Sequence, residues 1–378
     1  MFYDWVEVYQ DFDFELPLVG DRAYQNIDVL TGEGGKLMQP GWQHEGSFCT
    51  SIRISISGNR LTVKGNPSRY GRLDNLFGLS TLDQCMDVYN KILRTLGLPE
   101  FTKCTQIWNF TDKVSGSSKM QIMTDGAVFK EIHLTTNKGA GSGCSDDYIK
   151  GLSTLSYRNA IPRLHTNGKT VDWLSKKGNA SLLYPSVYDK AHELLLHSAE
   201  KIKKKFGPKS DEYSYLSKVV DFCKTNGIVR FEQKIKGRLL TRLNARYWGL
   251  FDEQTAFSPL HKEFLSIDEK LQVTSMTIEG ISERLLRLGI VETTRAANTT
   301  ALYAIQWMHG QAFDLQKSQV QTHRSRLRKV GIDIGKPCNI SQASPVYIRK
   351  AKEVTVSDVA APDWYRAASA QPHLKLVA

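Results

Sequence analysis

Tyr188 sits where an apolar extended run, Leu182-Leu183-Tyr184-Pro185-Ser186-Val187, gives way to a charged helical pattern, and Lys190 follows two residues later. A phenol is a poor nucleophile at its ordinary pKa of about 10. A nearby cation or metal lowers that pKa and offsets charge on phosphoryl oxygens during an in-line displacement. The pair therefore suits covalent attack on a phosphodiester. The same placement also suits amphipathic packing, the commoner use of a strand-end tyrosine. If the strand runs through Asp189, Lys190 shares the face of Tyr188; if the helix has already begun, His192 is the i+4 neighbour.

Two further segments alternate with period two. In Val128 to Asn137, the residues Glu131, His133, Thr135 and Asn137 share one face, and imidazole with carboxylate suits a divalent metal. In Ile228 to Lys236, Arg230, Glu232, Lys234 and Lys236 share one face while Val229, Phe231 and Ile235 share the other. One carboxylate among three cations fits a phosphate site with a single metal ligand. An exposed salt-bridged strand has the same pattern.

Three loops resemble phosphate cradles. Gly32-Glu33-Gly34-Gly35-Lys36 lacks the spacing and the Ser/Thr of a P-loop. Gly139-Ala140-Gly141-Ser142-Gly143 fails the dinucleotide fingerprint at Cys144 but suits close backbone approach. The turn-rich stretch Gly65 to Asn75 carries Arg69 and Arg72, either as a connection or as a DNA contact. Near the C-terminus, Thr322 to Lys329 places Arg324 and Arg328 on a basic helix, which can hold phosphates without reading sequence.

These residues need a frame. The chain has 378 residues, 41% hydrophobic and 10% aromatic, so it can build real cores. Its net charge of +11 favours a polyanionic partner, most simply nucleic acid. Six scattered cysteines form no CxxC, which points away from zinc knuckles and disulfide scaffolds and toward a reducing compartment. The N-terminus lacks the features of a signal peptide, and no apolar run is long enough to span a bilayer.

Alternation predicts strands at Trp5 to Tyr9, Cys49 to Ser57, Val128 to Asn137, Thr170 to Trp173, Ser181 to Tyr188 and Ile228 to Lys236, with a hairpin turn at Gly58-Asn59. Helices are expected after Ser80, from Ser145 and over Asp189 to Phe206, and the texture becomes helical after about Tyr247. The expected class is α+β: an antiparallel-sheet catalytic domain over 1–250, followed by a smaller helical domain over 251–378 that contacts DNA or supports assembly.

Several of these segments in order resemble one family, the gene II/X replication initiators of filamentous bacteriophages. The likeness rests on Gly65 through Gly78, on Val128 to Asn137 with Gly139 after it, and on Thr170 to Trp173 followed by Val187-Tyr188-Asp189-Lys190-Ala191-His192-Glu193-Leu194. It rests also on Ile228 to Glu232 and on the tail Pro362-Asp363-Trp364-Tyr365. The resemblance implies a rolling-circle endonuclease and strand transferase with a degenerate form of the HUH nickase sheet. Such proteins nick the plus-strand origin by tyrosine attack, hold the 5′ phosphate as phosphotyrosine, and later rejoin the displaced strand.

By position, Tyr188 and Lys190 match the family's Tyr-x-Lys segment, and Glu232 matches its Arg-Phe-Glu strand. His133 falls where many relatives have aspartate, and Thr135 stands where the wider superfamily has a second histidine. The implied metal is magnesium or manganese, with His133, Glu232 and Glu193 as ligands. Arg69, Arg72, Arg230, Lys234, Arg324 and Arg328 are the expected DNA contacts. The implied partners are phage origin DNA, its displaced single strand, and the host helicase and polymerase. The implied setting is the bacterial host cytoplasm without membrane attachment, and an oligomer is compatible with it. A non-cleaving regulator that only grips origin DNA is the alternative; an RNA-binding role rests on charge alone.

Overall fold

The computed structural model describes residues 1–17, 24–38, 42–44, 52–111, 120–267, 278–308, 310–336 and 356–368. Fourteen described strands run in the order β1 (Phe2–Asp11), β2 (Tyr24–Ile27), β3 (Gly34–Met38), β4 (Trp42–His44), β5 (Ile52–Ser57), β6 (Arg60–Gly65), β7 (Ile107–Thr111), β8 (Met120–Thr124), β9 (Val128–Gly139), β10 (Ile161–Leu164), β11 (Thr170–Leu174), β12 (Leu183–Asp189), β13 (Ile228–Lys236) and β14 (Ser357–Asp358). Ten of them form one antiparallel sheet in the order β10-β11-β12-β13-β9-β1-β6-β5-β4, with β14 on β9; β2–β3 and β7–β8 are separate hairpins. The strands expected from alternation are present, and β5 and β6 meet through the expected Gly58 turn, with φ 65 at that glycine. The start of the Cys49 strand lies outside the described residues.

The sheet has one apolar and one polar face because its central strands alternate. Val6, Leu134, Ile235, Val187, Phe231 and Trp173 are fully buried on the apolar face. Helices α1 (Leu82–Thr95), α2 (Ser145–Leu152), α6 (Gly237–Arg242) and α7 (Glu253–Leu265) contribute to the cores built there. Thr81 starts α1 with a full capping box, its hydroxyl on the Gln84 amide and the Gln84 side chain on its own. On the polar face lies a third core, where Leu73 and Leu76 pack with Leu194, Leu216 and Val219. These belong to the loop after β6, to α3 (Lys190–Leu194) and to α5 (Asp211–Asn226).

Four differences from the sequence reading have local causes. The helix expected over Asp189 to Phe206 is broken by a π-helical turn, Leu195–Ala199, between α3 and α4 (Glu200–Phe206). Ser145 does not cap α2; its hydroxyl donates to Asp189 instead, 2.7 Å away. Helix α5 has no counterpart among the expected elements, although Ser210 caps it and Gly227 ends it. The helical texture begins near Tyr247 as expected, yet Phe257 of α7 packs in the core of the sheet. The tail returns as well: β14 pairs with β9, and Tyr365 joins the third core. Beyond α7, α8 (Ile278–Arg287), α9 (Thr294–Met308) and α10 (Ser318–Lys329) share their own core around Leu285, Ala301, Ala304 and Leu327. No described helix is long and apolar enough to cross a membrane.

Gly227 illustrates how tightly the β13 side is joined. It adopts φ 56, and a Cβ there would run into the carbonyl oxygen of Gly141, so the glycine-rich loop does make a close approach. Gly227→Ala should lower stability by about 2–3 kcal/mol, read as a reduced urea midpoint at unchanged m-value.

His261 of α7 is buried, with Nδ1 2.8 Å from Gln233 Oε1 and Nε2 2.8 Å from Thr136 Oγ1. Burial, with repulsion from the N-terminal ammonium and Lys138, pushes its pKa down to about 3. The unfolded chain takes up a proton near pH 6.5 and the folded chain does not, so stability falls as pH drops below that value. Urea melts from pH 7 to pH 4 should show a slope of up to about 1.4 kcal/mol per pH unit from this group, absent in His261→Gln.

Candidate active site

Strand register places the polar side chains in rows. Tyr188 lies across from Arg230, and Arg230 from Asn137; Ser186 lies across from Glu232, and Glu232 from Thr135. Lys234 lies across from His133, which lies across from Trp5. The expected nucleophile, the His133 strand and the Glu232 strand therefore meet on adjacent ladders.

A continuous chain of contacts runs along this face. The Tyr188 hydroxyl donates to Glu232 Oε2 at 3.0 Å. Glu232 Oε1 lies 2.9 Å from His133 Nδ1 and 3.5 Å from Lys234 Nζ. His133 Nε2 lies 2.7 Å from Glu131 Oε1, and Lys236 holds the other Glu131 oxygen at 2.6 Å. Trp5 stacks on the imidazole with ring centroids 5.9 Å apart.

With a carboxylate on each nitrogen, the imidazole is held as the two-donor cation. Burial lowers the His133 pKa, but the hydrogen bonds from Glu131 and Glu232 outweigh burial and raise it. Burial raises Glu131, but His133 and Lys236 prevail and bring it down to about 2. Glu232 is likewise held below the usual carboxylate range against the effect of burial, mainly by His133. The His133 contribution to stability is complete below pH 6.5 and is lost as pH rises through its raised value. The Glu131 contribution is complete above about pH 4.5 and is lost toward pH 2.

Tyr188 is partly exposed. Burial of its hydroxyl pushes the pKa well above the usual value, the Glu232 charge adds to this, and Arg230 opposes it. The phenol is protonated at neutral pH, and its proton has an acceptor in Glu232.

Arg230 anchors this arrangement from below. It is fully buried, with Nε 3.0 Å from Asn137 Oδ1 and Nη1 3.2 Å from Asp4 Oδ2. Its Nη2 donates to the carbonyls of Asn75 and Leu76 at 2.6 and 2.8 Å. Asp4 also accepts from the amides of Asn66 and Asn75, at 2.7 and 2.8 Å. Lys190 is fully buried too, bonded to Asn75 Oδ1 at 2.8 Å and paired with Glu193. Strand β12 does run through Asp189, whose side chain caps α3 at the His192 amide, 2.9 Å away. The side chain of Lys190 nevertheless serves the loop of Asn75, and the cation acting on Tyr188 is Arg230.

The remaining expected residues separate into two groups. Arg69 reaches Ser198 at 2.8 Å, and Arg72 holds the carbonyls of Ser68 and Phe77, each at 2.8 Å, and Tyr365, so both fold the Asn66 to Gly78 loop. Lys234 stays about a third exposed at the rim, over the ring of Tyr184. On α10, Arg324 is paired with Asp333 at 2.6 Å, whereas Arg328 faces solvent. Sequence pattern does not assign Asp4 or Trp5 to the site. A carboxylate inside the apolar strand Phe2-Tyr3-Asp4-Trp5-Val6 is the available signal.

Among the described residues, no group of three or more His, Cys, Asp or Glu side chains is placed to hold a metal ion. Glu193 does not join His133 and Glu232. Those two converge as a pair beside Thr135, whose buried hydroxyl has no hydrogen-bond partner. His133, with a carboxylate on each ring nitrogen, offers no free nitrogen to a metal, whereas the Glu232 carboxylate and the unsatisfied Thr135 hydroxyl are oxygen donors of the kind magnesium takes together with several waters.

Known proteins bear on this face at the level of the whole chain. The N-terminal model of the gene II replication-associated protein family matches residues 2–254, and the C-terminal model of the same family matches 285–371. The chain belongs to this family of phage replication-associated proteins. It is 56% identical over 314 residues to the replication-associated protein of Escherichia phage If1, covering 83% of this chain and 97% of that one. No solved structure matches. The gene II/X likeness read from the ordered segments is thus the family of the chain, and the N-terminal match spans every residue of the polar face described above.

Proposed function

We propose that this family member initiates phage DNA replication by nicking one strand of the origin through Tyr188 and later rejoining the displaced strand. The observation that carries this reading is the Tyr188–Glu232–His133 contact chain on the polar sheet face, with Tyr188 partly exposed, in a chain of charge +11. The Tyr188 oxygen attacks phosphorus as its proton passes to Glu232. The bond to the 3′ oxygen breaks, that oxygen takes a proton from water, Glu232 returns its proton to solvent, and the 5′ phosphate stays on the tyrosine. Rejoining runs the same steps backward from a 3′ hydroxyl, so the broken bond is stored without ATP.

Lys234 lies at the rim, where it can offset phosphoryl charge, and buried Arg230, across from Tyr188 on the same face, acts on the phenolate. His133, clamped between two carboxylates and against Trp5, fixes the Glu232 carboxylate in direction. A divalent cation, most simply magnesium, would be held by the Glu232 carboxylate, with His133 kept as the cation that orients it. When bound it would polarise the phosphate as a Lewis acid. Host helicase and polymerase are proposed to use the free 3′ end, in the host cytoplasm.

The test is to incubate the full chain with supercoiled origin DNA and magnesium, with and without chelator. Nicked circles and a protein–DNA adduct on a denaturing gel are expected, both dependent on the metal. Tight origin binding without adduct would instead identify a non-cleaving regulator.

A further inference from the structure

A second polar cluster lies on the same face as Tyr188 and meets the contacts above through Lys234. Its centre is Asp172 of β11, fully buried. Its carboxylate accepts from Arg163 Nε at 3.1 Å and Nη2 at 2.9 Å, from His165 Nε2 at 2.8 Å and from the Tyr184 hydroxyl at 2.8 Å. Against burial, these donors hold the carboxylate below its usual range. One buried anion thus fixes an exposed guanidinium and an exposed imidazole, and the Tyr184 hydroxyl donates its one proton to the same carboxylate. The Arg163 side chain remains 59% exposed and that of His165 40% exposed. The Lys234 ammonium, 5.3 Å from the centre of the Tyr184 ring and 3.5 Å from Glu232, bridges this cluster to the nucleophile site.

We infer that Arg163 and His165, positioned by Asp172 beside Tyr184, form a binding subsite for a backbone phosphate of the strand that Tyr188 cuts, several nucleotides from the scissile bond. Three features support a nucleic-acid phosphate. The guanidinium is gripped on one edge by Asp172, which presents its other edge in a fixed orientation, the arrangement that recognises phosphate oxygens best. Tyr184 lies on the strand that carries the nucleophile and shares the Asp172 carboxylate with Arg163 and His165, so the cluster and Tyr188 are held in fixed register. Tyr184 and Tyr188 are four residues apart on β12, a span of about 13 Å. That span covers up to roughly four nucleotides at a stacked rise of 3.4 Å, and fewer as the strand is stretched. Such a contact carries no base information; it fixes which phosphodiester sits over Tyr188.

This inference rests on the proposed nicking reaction, and the experiment keeps the two apart. Affinity for a single-stranded origin oligonucleotide is measured against salt for the full chain, for Arg163→Ala and for Tyr188→Phe. Arg163→Ala should bind roughly tenfold more weakly at moderate salt, with a salt slope smaller by about 0.7, whereas Tyr188→Phe should keep the slope. Neutral methylphosphonates are then placed one position at a time within four nucleotides on each side of the scissile bond. One position should weaken the wild type and leave Arg163→Ala unaffected, a coupling that a general loss of fold cannot produce. His165→Ala, measured in the same way, should couple to that same position. An unchanged salt slope in Arg163→Ala overturns the subsite, and so does coupling to no single position. If the wild type forms no adduct while the coupling persists, the subsite stands and the tyrosine chemistry falls.

Discussion

Tyr188→Phe should abolish the covalent adduct and lower nicking by roughly four to six orders of magnitude, while origin binding and fold survive. The variant removes one oxygen, which is hydrogen-bonded to Glu232, so the cost to stability should stay within about 1 kcal/mol. What disappears is the atom that forms the bond to phosphorus: Arg230 and Asn137 on one side of that row offer donors, not nucleophiles, and Thr170 on the other carries only an alcohol, far less acidic than a phenol. Nicked-circle formation from supercoiled origin DNA, the adduct on a denaturing gel and a binding isotherm read the three quantities separately. Adduct at the wild-type level in Tyr188→Phe would refute the assignment outright. Glu232→Gln is the companion. It keeps a hydrogen-bond acceptor for Tyr188 but cannot take its proton, so adduct formation should slow strongly and binding should not.

The second large effect belongs to Arg230. Arg230→Met leaves Asp4 nearly buried without its cation, and strips donors from Asn137 and from the carbonyls of Asn75 and Leu76. Removing one partner of a buried pair typically costs about 3–5 kcal/mol. That is a large share of the roughly 5–15 kcal/mol that stabilises a domain. A urea melt should show the drop directly, and Asp4→Asn combined with Arg230→Met should recover part of it. A loss below about 1 kcal/mol would mean that water enters and replaces the cation. Activity should fall as well, since Arg230 is the charge that restrains the rise in the Tyr188 pKa.

Much of this site is legible in the sequence because strands expose their logic. Alternation alone places His133 with Glu131 and Arg230 with Glu232, and the ladder then joins β9 to β13 in the register that brings His133 and Glu232 together. Lys190 is harder. Its spacing from Tyr188 fits a helper on the same face, but contacts with Asn75 and Glu193 turn it inward, and no period in the sequence encodes a partner over a hundred residues away. Arg69 and Arg72 show a related point. An arginine in a turn-rich loop looks like a DNA contact until the carbonyls it satisfies are known. The π turn after α3 is invisible because the apolar and charged pattern from Asp189 to Phe206 reads as one continuous helix. The tail is identified by resemblance, but its strand pairing with β9 depends on contacts that local pattern does not hold.

The loop from Asn66 to Gly78 is tied down by residues from both ends of the described chain. Asp4 grips Asn66 and Asn75, while the Tyr365 hydroxyl donates to Asp74 at 2.7 Å and accepts from the Phe77 amide at 2.9 Å. A ribosome releases these anchors at opposite times, the first early and the second more than a hundred residues after Glu232 has emerged. A nascent chain therefore carries Tyr188 and Glu232 well before it carries the clasp that steadies the loop beside them. Completion of the polar face is timed by translation itself, and its last fastening waits for the tail.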